Sequence, residues 1–198
     1  MSKIAVFGTG NVGATIGSKL IELGHSVMMG SRTADNEKAK AFVAKHNSKA
    51  TAGTFADAAA FGDIIFNCTA GVASLDALKM AGEKNLKGKI LVDIANPLDF
   101  SKGMPPSLAI SNTNSLGEEI QKAFPDTKVV KALNTMWCGL MVNPVMINGG
   151  DHSTFVSGND TGAKEEVKKI LKSFGWAEKN ILDLGDITKA RGTEMYLP

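Results

Sequence analysis

Three glycines, at positions 8, 10 and 13, constrain this chain more than any other feature. They end the apolar run Lys3-Ile4-Ala5-Val6-Phe7 and open a helical pattern in the spacing G-x-G-x-x-G. Gly8 permits a tight turn off a strand. Gly10 carries no side chain, so a pyrophosphate can approach the backbone. Gly13 lets the helix pack close to the sheet. Val12, Ile16, Leu20 and Leu23 recur at helical spacing, and Gly24 stands where a helix stop is expected. A second strand, His25 to Gly30, follows. This strand–turn–helix–strand context turns a weak motif into a specific one. It makes Gly8-Thr9-Gly10-Asn11-Val12 the expected phosphate cradle, with free N–H groups at a helix N-terminus.

The second strand qualifies the ligand. Proteins that prefer the unphosphorylated dinucleotide place an Asp or Glu about 20 residues past the glycines, on the ribose hydroxyls. Here the strand ends in Gly30-Ser31-Arg32-Thr33. A carboxylate would repel a 2′-phosphate. Ser31 and Thr33 can donate hydrogen bonds to one, and Arg32 can neutralise it and stack on adenine. NADP(H) is therefore the expected cofactor. Lys38 and Lys40 are secondary phosphate candidates, with a solvated helix face as the alternative.

The rest of the chain alternates strands and helices. Helices are expected over 35–46, 55–61, 72–81, 163–174 and from about 187. A capping box, Ser115 with Glu118, is expected to open another that ends near Phe124. Glu165 and Lys169 are expected to pair on the outer face of the 163–174 helix. Strands are expected over 50–53, 63–69, 89–94, 128–133, 154–158 and 181–184. Residues 99–114 read as an irregular loop, long enough to serve as a lid or binding loop. This alternation predicts an α/β fold with a doubly wound, mostly parallel sheet, the Rossmann NAD(P)-binding fold, in a single domain over 1–198. Its two halves, about 1–94 and 127–184, flank a crevice. Ala70-Gly71, Asn96-Pro97 and Asn134-Thr135-Met136 follow the fourth, fifth and sixth strands and should meet there. Asn96 and Asn134 could hold the carboxamide or a ribose hydroxyl of the nicotinamide half, with simple turns as the alternative. Met136 and Trp137 offer an apolar wall for a flat acceptor ring.

Composition excludes several classes. The formal net charge is +2, with acidic and basic residues interspersed, so no basic stripe suggests nucleic acid. No apolar run approaches membrane-spanning length, and the N-terminus is expected to enter a strand directly, with no signal peptide expected. Two cysteines, Cys68 and Cys138, make neither a disulfide framework nor a metal spacing, which predicts a reduced, cytoplasmic setting. His25, His46 and His152 have no partner the sequence identifies, and no catalytic residue can be named. That absence fits hydride passed between two ring systems, where alignment and exclusion of water do most of the work. It fits equally a non-catalytic NADP(H)-binding sensor.

With these segments in place, nearly the whole chain resembles the small dinucleotide-binding oxidoreductases typified by coenzyme F420-dependent NADP reductase. The resemblance rests on Ile4 to Gly13, Leu23-Gly24-His25, Gly30-Ser31-Arg32, Asp93-Ile94-Ala95-Asn96-Pro97 and Lys131-Ala132-Leu133-Asn134-Thr135. It implies NADPH bound through Thr9, Ser31 and Arg32. It implies a small-molecule acceptor, either the deazaflavin F420 or a flavin, and a homodimer. Two departures stand out. Trp137 replaces the smaller apolar residues usual in the family and is expected to reshape the acceptor pocket. The chain stops at Tyr196-Leu197-Pro198 after Arg191-Gly192-Thr193-Glu194, which suggests a shortened C-terminus.

Overall fold

The computed structural model describes residues 1–196. Eight strands make one sheet: β1 (Lys3–Phe7), β2 (Ser26–Ser31), β3 (Ala50–Thr54), β4 (Ile64–Asn67), β5 (Ile90–Asp93), β6 (Lys128–Ala132), β7 (Thr154–Gly158) and β8 (Ile181–Asp183). Their spatial order is β8-β7-β6-β5-β4-β1-β2-β3. The first six strands are parallel. β7 runs antiparallel to β6, and β8 runs parallel to β7. The sheet is thus mostly parallel, as expected. The strand order reverses between β1 and β4, which opens the crevice at their carboxyl ends.

Alternation along the strands sends side chains to two separate cores. Ile4, Val6, Phe66, Val92 and Val130 point to one face, where they meet Ile16 and Leu20 of α1 (Asn11–Glu22), Phe42 of α2 (Glu37–His46), Met141 of α7 (Cys138–Val142) and Leu171 of α8 (Thr161–Ser173). Ala5, Phe7, Ile65, Leu91 and Val129 point to the other. There they meet α3 (Phe55–Phe61), α4 (Ser74–Ala81), Leu86 of α5 (Glu83–Leu86) and α6 (Leu116–Ala123). Burying both faces explains why these strands read as nearly continuous apolar runs.

Local chemistry sets the element ends. Helix α1 stops in a Schellman turn: Gly24 has φ +92°, His25 N–H donates to Leu20 O at 3.0 Å, and Gly24 N–H donates to Ile21 O at 2.9 Å. Leu23 lies beyond the last helical turn and is exposed; Ile21 takes its expected place in the core. At α6, Ser115 Oγ accepts from Glu118 N–H at 3.1 Å, but the Glu118 carboxylate does not return to Ser115 N–H. Asn114 Oδ1 takes that bond at 2.9 Å, so only half of the expected capping box forms. The complete box is at α3, between Thr54 and Asp57. On α8, Glu165 pairs with Lys168 and Glu166 with Lys169, rather than Glu165 with Lys169. The 99–114 loop begins with a short antiparallel hairpin, Leu98–Asp99 against Ser107–Leu108. The expected shortened C-terminus at Leu197-Pro198 lies outside the described residues.

Candidate cofactor site

Two cavities, about 640 Å³ and 320 Å³, lie along the carboxyl ends of the strands and share Cys68, Thr69 and Ala70. Together they form one trough. Gly8, Thr9, Gly10, Ser31, Arg32 and Ala70 line the larger part. Val12, Ala70, Gly71, Asn96 and Asn134 line the smaller. Ten of the twelve expected binding residues therefore meet in one trough, counting Ala70 once. Asn11 and Thr33 are exposed beside it and line neither part.

The three glycines divide their work as the motif predicts. A Cβ on Gly13 would stand 2.0 Å from Gly8 O, and one on Gly8 would stand 2.6 Å from Cys68 O. Both positions are closed by backbone. A Cβ on Gly10 would meet nothing within 4 Å. Gly10 is the N-cap of α1 and supplies no side-chain cap, so the first-turn N–H groups lack a capping partner from this residue. That cradle fits an anionic diphosphate. Gly71 has a different reason to be small: its Cβ would lie 2.0 Å from Asn96 O. It lets the loop after β4 pack on the loop after β5.

At the far end of the larger cavity, the Arg32 guanidinium is exposed and makes no ion pair among the described residues. Ser31 is buried, and its hydroxyl donates to Thr33 O at 2.6 Å. It therefore presents an acceptor to the cavity rather than the expected free donor. Lys40 is held by Asp35 and Glu37, and neither Lys38 nor Lys40 lines the trough. Sequence reasoning missed Asn36, Phe55, Asp76 and Met80, which complete this wall. Phe55 opens a helix and reads as core, so no local signal marks it.

In the smaller cavity Asn96 and Asn134 bind each other. Asn96 Nδ2 donates to Asn134 O at 2.7 Å, and Asn134 Nδ2 donates to Asn96 Oδ1 at 2.8 Å. The chain reaches Asn134 through Leu133, buried with φ +61°. Left-handed backbone at leucine costs about 1 kcal/mol, a strain that clusters at functional sites. Val72, Leu98, Phe100 and Met136 make the rest of the wall apolar. Trp137 does not join them. Its ring covers Gly139 and is 67% exposed, so the expected Met136–Trp137 wall reduces to Met136.

Behind the trough lies a buried polar cluster that sequence reading did not assemble. Asn67, Asp93 and Lys131 are cross-strand neighbours at the ends of β4, β5 and β6. Lys131 Nζ donates to Asp93 Oδ2 at 2.6 Å and to Ala95 O at 2.6 Å, and pairs with Glu194 Oε1 at 2.7 Å. Glu194 comes from α9 (Ala190–Met195) and accepts the Leu116 and Gly117 N–H groups at 2.7 and 3.0 Å. Burial alone would lower the Lys131 pKa. Asp93 and Glu194 outweigh it and hold the ammonium above its ordinary value. Burial raises the Glu194 carboxyl, with Lys131 opposing. The available signal was a charged or amide residue on the inward face of three otherwise apolar strands.

The remaining titratable candidates are structural. His25 accepts from Ser2 N–H, His46 contacts Ser18 and Phe42, and His152 contacts Pro144 O and Trp176. Burial, then Asp93, pushes the Cys68 thiol up and leaves it a poor nucleophile. No helix among the described residues is long and apolar enough to cross a membrane.

Comparison with known proteins agrees with this fold. Residues 3–97 match the family described as NADP oxidoreductase, coenzyme F420-dependent. A structure from Arthrobacter sp. FB24, described provisionally as an F420-dependent NADP-reductase, is 52% identical. The match covers 99% of this chain and 90% of that one, with a TM-score of 0.92. A reductive aminase from Aspergillus terreus, solved with NADPH, shares the fold at 16% identity and TM-score 0.69, over 98% of this chain and 59% of its own. The metalloreductase STEAP3 of Rattus norvegicus is 26% identical over 97% of this chain, which spans only 36% of that protein. The chain belongs to the coenzyme F420-dependent NADP oxidoreductase family, a family of NADP-dependent oxidoreductases.

Proposed function

We propose that the protein transfers a hydride between NADP(H), held along the trough, and a deazaflavin or flavin ring stacked in its apolar end. The observation that carries this reading is the continuity of the two cavities from Arg32, past the α1 N-terminus, to the Asn96–Asn134 pair. The free guanidinium of Arg32 would meet the 2′-phosphate. The N–H groups opened by Gly10 would take the diphosphate. Asn96 and Asn134, each already oriented by the other, would hold the carboxamide end. The bound nicotinamide supplies the hydride. The chain supplies orientation, and Val72, Phe100 and Met136 exclude water. Among the described residues the smaller cavity carries no acid or base besides the un-ionised Cys68 thiol. A ring acceptor suits such a wall better than a carbonyl, which needs a proton donor. A single domain, a cytoplasmic setting and a homodimer belong to the same reading.

Calorimetric titration with NADPH and NADH, each repeated with F420 or FMN present, tests it. Tight NADPH binding, weak NADH binding and oxidation of NADPH by one acceptor are expected. NADPH binding without turnover of any acceptor would convert the reading to that of a sensor. Failure to bind either nucleotide would overturn it.

A further inference from the structure

We infer that Asp93 and Lys131 are positioning residues that lock the nicotinamide end of the trough, and that Glu194 makes this lock depend on the C-terminal helix. The inference rests on the proposed course of the cofactor. The Asp93 carboxylate is a node. Its Oδ1 accepts from Asn67 Nδ2 at 2.8 Å and from Ala95 N–H at 3.2 Å, while its Oδ2 accepts from Lys131. Asn67 Oδ1 in turn accepts from Thr69 Oγ1 at 2.7 Å, and Ser74 Oγ stands 2.9 Å from the same hydroxyl. Thr69 lines both cavities. Lys131 holds Ala95 O, one residue before Asn96. One carboxylate and one ammonium thus reach the loops after β4 and β5 from below, and Lys131 sits three residues before Asn134 on β6.

The cluster's hydrogen bonds run to the loops after β4 and β5, which line the smaller cavity and its junction with the larger one. Among the described residues none of its hydrogen bonds goes to Gly8, Gly10 or Arg32, which follow β1 and β2 on the other side of the strand reversal. Glu194 anchors it from outside. It pairs with Lys131 while capping α6, and Arg191 of the same helix binds Glu118 with its Nε at 2.8 Å and a second nitrogen at 2.5 Å. Lys131, Asp93 and Glu194 are each no more than 1% exposed. A buried ion pair with every donor used is suited to fixing one geometry rather than adding stability.

The test is the double variant Asp93→Asn/Lys131→Met. One cation and two carboxylates give the wild-type cluster a net charge of −1; the variant keeps Glu194 alone, also −1. Glu194 retains its α6 contacts, so the variant avoids an unpaired buried lysine or Asp93 carboxylate. Adenosine 2′,5′-bisphosphate, which reaches only the Arg32 end, should bind as in the wild type. NADPH should bind about tenfold more weakly, and hydride transfer to the acceptor should slow by about 10- to 100-fold. Amide hydrogen exchange, which needs no nucleotide, should accelerate over 67–71 and 94–97 while β1 and β2 stay protected. Parallel loss of both ligands, unchanged NADPH affinity, or unchanged exchange in the two loops would each overturn the inference. If the wild type binds neither nucleotide, the cofactor reading fails, and the exchange measurement still decides whether the lock exists.

Discussion

Asn96 and Asn134 join the ends of β5 and β6 through two reciprocal hydrogen bonds of 2.7 and 2.8 Å. Each amide keeps one donor hydrogen and further acceptor capacity beyond that pair, facing the smaller cavity. Removing the Asn134 side chain breaks one of the two bonds and takes away that polarity, while Asn96 Nδ2 keeps the Asn134 backbone carbonyl. Asn134→Ala should cost about 1 kcal/mol of stability in urea denaturation. It should weaken NADPH without weakening adenosine 2′,5′-bisphosphate in the same titrations.

The glycine turn separates folding from binding. Gly13→Ala drives a methyl group into Gly8 O, and overpacking of this kind costs about 1–3 kcal/mol or more. Gly10→Ala meets open space, with φ −79°, and should change stability by less than about 0.5 kcal/mol. Yet its methyl group would occupy the approach proposed for the diphosphate. Thermal melts should register Gly13→Ala, and calorimetry with NADPH should register Gly10→Ala.

Among the described residues Arg32 is the one cation that lines the trough. Arg32→Ala should weaken NADPH by about 1.5–3 kcal/mol, the range for charge-assisted hydrogen bonds, and leave NADH nearly unchanged. Equal losses for both nucleotides would remove the 2′-phosphate from this position.

The Glu118–Arg191 pair predicts an acid-sensitive tie between α6 and α9. The Arg191 hydrogen bond holds the Glu118 carboxyl below its ordinary value of 4.5. A carboxylate depressed in the folded state stabilises fully above that unfolded value. The contribution is lost as pH falls through the lower folded value. Glu118→Gln should therefore be less stable than the wild type at neutral pH, and the gap should close as the pH drops below 4.5. Comparing the two proteins cancels the contribution of Glu194, whose carboxyl is displaced in the opposite direction.

What the sequence determined by itself was local. The turn at Gly8, the open Gly10, the Schellman stop at Gly24 and the alternation of strands and helices depend on residues within a turn or two of one another. Backbone sterics and hydrophobic period act over that range, so motif and fold class were readable without coordinates. Tertiary structure decided the rest. Lys131 reads as a stray charge in an apolar strand until β6 pairs with β5, which sets it beside Asp93, 38 residues earlier. Glu194 caps Leu116 across 78 residues. Trp137 turned from the cavity onto Gly139, and Ser31 turned its hydroxyl to Thr33 O. Such outcomes depend on which partners the topology brings within hydrogen-bonding reach. That is a property of strand order, and it appears only when the sheet is assembled.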